Sequence, residues 1–187
     1  DPNLAAKIVP VLLNEIEDLK RGRSSPTHIG KLHYFDLFAK GLCPTLCCEF
    51  AVSKGSTYEA TSVTVPEWRA SDGQLKKESK SPFGQLPLLE CDGIVISQAT
   101  AVCSYIGQVT NTGGGTSKDF AISQMLLAEG DEIFSDLNKN IGNIFHTPDT
   151  LNKETNEAFW KDKVEGHHVS RLEAILANNG MSSFTAG

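Results

Sequence analysis

The chain has 187 residues, 40% of them hydrophobic, which excludes wholesale disorder and a disulfide miniprotein and allows one large domain or two small ones. Seventeen basic against 23 acidic side chains leave a net charge of −6 and a pI near 5.3, the wrong sign for nucleic acid or an anionic membrane as the main partner. No apolar run approaches the roughly 20 residues of a membrane-spanning helix.

Residues 4–20 carry Ala5, Ile8, Val9, Leu12, Leu13, Ile16 and Leu19 at the spacing of an amphipathic helix. Pro10 fits only a first helical turn, so the regular part is expected to begin near residues 9–11 and to stop at Gly22. A linker, residues 21–26, follows, making 1–27 a helical extension. Residues 31–36 alternate as a short strand, and after a Gly/Pro-punctuated loop 46–53 reads as a helix up to Gly55. Residues 57–65, rich in β-branched side chains, form a second strand ending at Pro66, and 69–81 reads as polar loop with at most one helical turn. Residues 86–91, the Asp92-Gly93 pair and 94–97 have the signature of a hairpin, with a helix over 98–109.

The order β-α-β, loop, β-β-α makes the first two strands parallel, because their crossover is long, and the last two antiparallel, because their turn is tight. That is the thioredoxin-like order, here over 28–109. The Gly-rich stretch Thr110 to Gly115 is a linker. Beyond it, apolar residues from Phe120 to Phe145 suit one long helix ending before Pro148, and 153–177 a second, which makes 116–187 an all-helical region.

Cys43, Cys47, Cys48, Cys91 and Cys103 are an odd number in a chain large enough to fold without staples, so free thiols and a reducing compartment are expected. His167 and His168 are adjacent and therefore on different helix faces. With no ligand spacing around them they read as surface or packing histidines, and no metal is expected. The first residue is Asp1, so an upstream segment is expected to have been removed or omitted, and no targeting signal is readable.

Several motifs carry a resemblance. Lys31-Leu32-His33-Tyr34-Phe35, Trp68, Pro82-Phe83-Gly84-Gln85-Leu86-Pro87, Asp92-Gly93 and the run from Gln98-Ala99-Thr100-Ala101 to Ile106 resemble the amino-terminal domain of cytosolic glutathione transferases. The helical half, including residues 128–137 and 159–180, is similar to that family's second domain, and Tyr34-Phe35 looks most like its tyrosine-type classes, alpha, mu, pi and sigma. The resemblance implies an α/β thioredoxin-like domain followed by an all-α domain, with glutathione as a substrate conjugated to electrophiles. It implies that Tyr34 donates a hydrogen bond to the glutathione sulfur and favours the thiolate. Backbone at Gln85 and Leu86, before a cis Pro87, would hold the cysteinyl part of the tripeptide. Trp68 with Lys76 or Lys77 would flank the glycyl carboxylate, and Gln98 with residue 99, at a helix N-terminus, would bind the γ-glutamyl carboxylate. Glu132 lies where the family places an acid that reaches the partner subunit's site, which implies a homodimer.

The departures are equally specific. The family has Ser or Thr where this chain has Ala99, removing one hydrogen bond to a charged group, worth about 1.5–3 kcal/mol. The loop after Tyr34, residues 36–42, is longer and keeps only a lysine-glycine pair. Cys43-Pro44-Thr45-Leu46-Cys47 has the spacing C-x3-C, whereas the redox motif of omega-type and glutaredoxin-like relatives is C-x2-C, so these read as structural or incidental cysteines. The family's second domain continues beyond the point matched by Gly187, so a fragment, or a chain whose last helices another protein covers, is expected. The alternative to a cytoplasmic enzyme is a non-catalytic transferase-like subunit of a larger assembly, in a plastid or mitochondrion after removal of a transit segment.

Overall fold

The computed structural model describes residues 27–37, 39–70, 81–140 and 157–178, in two compact units, Asp1–Thr112 and Gly113–Gly187. The expected amino-terminal helix and both Lys76 and Lys77 lie outside the described residues.

In the first unit the elements run β1 (His28–Phe35), α1 (Leu42–Ser53), β2 (Thr57–Val63), α2 (Val65–Arg69), β3 (Leu88–Cys91), β4 (Ile94–Ser97) and α3 (Ala99–Val109). The sheet order is β2-β1-β3-β4, with β1 parallel to β2 and antiparallel to β3, and β3 antiparallel to β4. This is the thioredoxin-like arrangement. One apolar layer holds it together: Ile29, Leu32, Leu89 and Cys91 from the sheet pack with Cys48 and Ala51 of α1 and Val102 and Ile106 of α3. Across the hairpin, Cys91 pairs with Ile94, and Asp92 and Gly93 both take positive φ, 46° and 78°, as a tight two-residue turn of this hand requires.

Several boundaries differ from the sequence reading: β1 begins at His28 rather than residue 31, β3 begins at Leu88 rather than residue 86, and three further shifts have a local cause. Helix α1 starts at Leu42 rather than residue 46, because Pro44 falls in the first turn, where its missing N–H would have no helical partner in any case. Strand β2 ends at Val63, because Thr64 caps a short helix instead of extending the strand. Its side-chain oxygen accepts from the Glu67 N–H (3.3 Å), while the Glu67 carboxylate accepts from the Thr64 N–H (2.9 Å), a reciprocal capping box. Residue 98, expected to be the first of α3, precedes it as the cap, with φ 75°.

The second unit contains α4 (Ser117–Asn140) and a π-helical stretch, Trp160–Val169, that runs on into α5 (Ser170–Asn178). Thr116 and Asp119 cap α4 reciprocally, N–H to Oγ1 at 3.2 Å and N–H to Oδ2 at 3.1 Å. The π-helical turn is a correction to the single α-helix expected over 153–177. Its wider winding puts Phe159, Val164 and His168, spaced five and four apart, on one buried side.

His168 is therefore an interior residue. Its Nδ1 lies 2.7 Å from Glu129 Oε1 and its Nε2 3.5 Å from Asp136 Oδ2, two carboxylates seven residues apart on α4. The hydrogen bond to Glu129 raises the imidazole's pKa above the ordinary value, against burial and with help from Asp136. A histidine raised in this way contributes stability that is complete below its unfolded pKa and is lost as pH rises through the folded one. Thermal unfolding followed between about pH 6 and 8 should show stability falling with pH in the wild type and a flatter profile in Glu129→Gln. Parallel profiles would mean that the pair contributes nothing.

Candidate functional site

Tyr34 is the penultimate residue of β1, where the sheet opens onto the loop that leads to α1. Its side chain is half-buried, and its hydroxyl oxygen accepts hydrogen bonds from the backbone N–H groups of Gly41 and Lys40. Burial raises its pKa, with those N–H groups opposing, so the hydroxyl keeps its proton. Once the oxygen's lone pairs are engaged, what remains to Tyr34 is donation of its own O–H. A cleft of about 340 Å³ lies beside it, lined by Leu32, Tyr34, Asp36, Gly41, Thr45 and Thr61 among others.

The loop closes this tightly only because residue 41 is glycine. A Cβ there would sit 2.1 Å from Tyr34 Cδ1 and 2.2 Å from its Cγ, inside the ring's own volume. On the other side Phe35 meets Tyr34 edge-on, 5.6 Å between centroids, and Trp68 meets Phe35 at 6.1 Å and 88°. Trp68 itself is 9% exposed. The structure thus places Trp68 as the end of an aromatic row that backs Tyr34.

A second group of predicted residues comes together at the start of α3. Gln98 Nε2 donates to Gln85 Oε1 at 3.2 Å, joining the two glutamines, which are 13 apart in sequence and both exposed. The loop bearing Gln85 is braced by the buried Ser81, whose Oγ donates to the Gln85 carbonyl (2.9 Å) and accepts from its N–H (3.1 Å). The Leu86–Pro87 peptide is cis and Pro87 is buried. Ala99 is the first residue of α3 and offers no hydroxyl, while Glu132 lies exposed on α4. Ser81 was missed by sequence reasoning, although its position directly before Pro82 marks it as a turn residue.

Cys43 is exposed in the first turn of α1, but burial of its sulfur, followed by repulsion from Cys47, raises its pKa. It is not the low-pKa thiol that thiol-based chemistry at a helix start requires. Among the described residues no group of three or more His, Cys, Asp and Glu side chains is placed to hold a metal, and no helix is long and apolar enough to cross a membrane.

No family model matches the chain. Individual proteins do. A probable glutathione S-transferase of Caenorhabditis elegans is 28% identical over 160 residues, 84% of this chain and 71% of that protein. Glutathione S-transferase A1 of Mus musculus is 28% identical over 149 residues, 80% of this chain and 62% of its own length. Among solved structures, the glutathione S-transferase of Ascaris lumbricoides superposes with a TM-score of 0.65 at 28% identity, covering 79% of this chain and 67% of that one. Over about four fifths of its length the chain is similar to glutathione S-transferases in both sequence and fold. It spans about two thirds of the length of these glutathione S-transferases. The four-stranded sheet with α1 and α3 corresponds to the thioredoxin-like domain of these proteins, and α4, the π-helical stretch and α5 correspond to their helical domain.

Proposed function

We propose that this chain binds glutathione and joins the whole tripeptide, through its thiol sulfur, to an electrophilic small molecule. The observation that carries the reading is the Tyr34 hydroxyl: protonated, fixed by two backbone N–H groups, and set against an open cleft. A donor in that state favours thiolate over thiol in a bound ligand, and the thiolate is the nucleophile. The backbone of Gln85 and Leu86 at the buried Pro87 holds the cysteinyl part of the tripeptide. Gln98, at the N-terminus of α3, takes the γ-glutamyl carboxylate, favoured by unpaired N–H groups and the helix dipole. Trp68 and a lysine, Lys76 or Lys77, complete the glycyl end, and Glu132 serves a partner subunit's site in a homodimer. Five free thiols suit a reducing compartment such as the cytoplasm.

Retention on immobilised glutathione, with elution by free glutathione, tests the reading. Flow-through of protein shown to be folded by circular dichroism would sink it. Titration calorimetry should further show Ala99→Ser binding glutathione about tenfold tighter, the equivalent of one hydrogen bond to a charged group. Unchanged affinity would mean that residue 99 does not face the carboxylate.

A further inference from the structure

Helices α1 and α3 pack flank to flank in the core of the first unit, with Cys48 and Ala51 of α1 and Val102 and Ile106 of α3 all 0% exposed. Beside each of these pairs sits a further cysteine. Cys47 is half-buried at the rim of the contact, Cys103 is 6% exposed within it, and their thiols hydrogen-bond across the two helices. The other three thiols are placed differently. Cys48 is sealed in the core, Cys91 is buried on β3 beside the Tyr105 hydroxyl, and Cys43 is exposed one turn before Cys47 on the same helix. Cys47 alone combines access from outside with a hydrogen bond to a thiol on a neighbouring element.

We propose that Cys47 and Cys103 are an oxidation site that closes into a disulfide between α1 and α3 when the protein meets a hydroperoxide. The hydrogen bond from Cys103 lowers the Cys47 pKa, against burial, while Cys103, as the donor, is held up, so Cys47 is the thiol that ionises first. Its thiolate attacks the peroxide: an S–O bond forms, the O–O bond breaks, and the departing oxygen leaves as water or alcohol after taking a proton. Cys103 then gives up its proton and attacks the Cys47 sulfur of the sulfenic acid, forming S–S, breaking S–O and releasing water. Two thiols lose two electrons in all, and the hydroperoxide gains them.

The placement gives this chemistry a consequence for the fold. Cys47 lies just over one turn into α1, which begins directly after Gly41, and Cys103 one turn into α3, which begins directly after Gln98. A bond between them ties together the N-terminal halves of both helices, which neither a Cys43–Cys47 link within α1 nor oxidation of a single cysteine does.

The test uses the full chain, treated with hydrogen peroxide, then denatured, alkylated and digested without reductant for mass spectrometry. Two of the five thiols should become unavailable, returning with dithiothreitol, and a linked peptide should join Cys103 to Cys47, with fragmentation between residues 47 and 48 separating Cys47 from Cys48. Cys43→Ser should retain the link. Cys103→Ser should lose it and carry Cys47 on to the sulfinic acid. In wild-type protein, a bond from Cys47 to Cys43, a bond through Cys48, sulfinic acid at Cys47 without a link, or five unchanged thiols would each overturn the proposal, and none of these readings depends on a variant folding.

Discussion

Tyr34→Phe is expected to lower the rate of glutathione conjugation by about 10²-fold while leaving glutathione affinity within a few-fold of wild type. The ring keeps its edge contact with Phe35 and its packing against Gly41, so the fold is preserved and one O–H donor is removed. A preorganised donor aimed at developing negative charge in a partly dry site is worth roughly 10²–10³ in rate. Binding of the tripeptide as a whole draws on other groups and should change little, which separates the loss in kcat from any change in KM. The pKa of the bound glutathione thiol, read from the ultraviolet absorbance of the thiolate, should rise, because its charged form has lost a hydrogen bond. Equal activity in the variant would remove Tyr34 from the chemistry and turn attention to the thiols of α1.

Gly41→Ala is expected to damage both stability and function. The new carbon would lie 2.1 Å from the Tyr34 ring, so ring and loop cannot both stay where they are. Overpacking of this kind costs about 1–3 kcal/mol, which lowers the melting temperature by several degrees in a domain of this size. Because the Gly41 N–H holds the Tyr34 hydroxyl, displacement of either also misplaces the donor. The two positions should be coupled. In a Tyr34→Ala background the space is vacant, and the stability cost of Gly41→Ala should shrink markedly; additive costs would show that the clash lies elsewhere.

What could be read from the residues alone was whatever depends on local chemistry. The Asp92-Gly93 turn announced its hairpin because few pairs tolerate two positive φ values, and the β-branched run from Thr57 announced β2. Thr64 and Glu67 also spelled a capping box, yet Trp68 drew attention as an isolated aromatic rather than as part of the helix that box begins. Other features exist only once elements meet. Glu129 and Asp136 look like solvated positions on a long helix until the buried side of the π-helical turn brings His168 against them, and nothing in the spacing of 157–178 signals that change of winding. The Tyr34 hydroxyl likewise depends on a loop whose close approach rests on one missing Cβ. The link from Gln98 to Gln85 required the braced loop at Ser81, a tertiary arrangement.

Gln98 holds φ at 75° and ψ at 123°, a backbone conformation that a side chain opposes and glycine accepts freely. Strain of this kind is worth on the order of 1–3 kcal/mol. The same residue carries the amide that reaches Gln85, so at this position the two demands on the sequence diverge. A laboratory lineage selected for heat resistance alone would drift toward glycine at 98, gaining robustness and shedding the amide. A lineage selected for ligand capture would keep glutamine and tolerate the less durable fold.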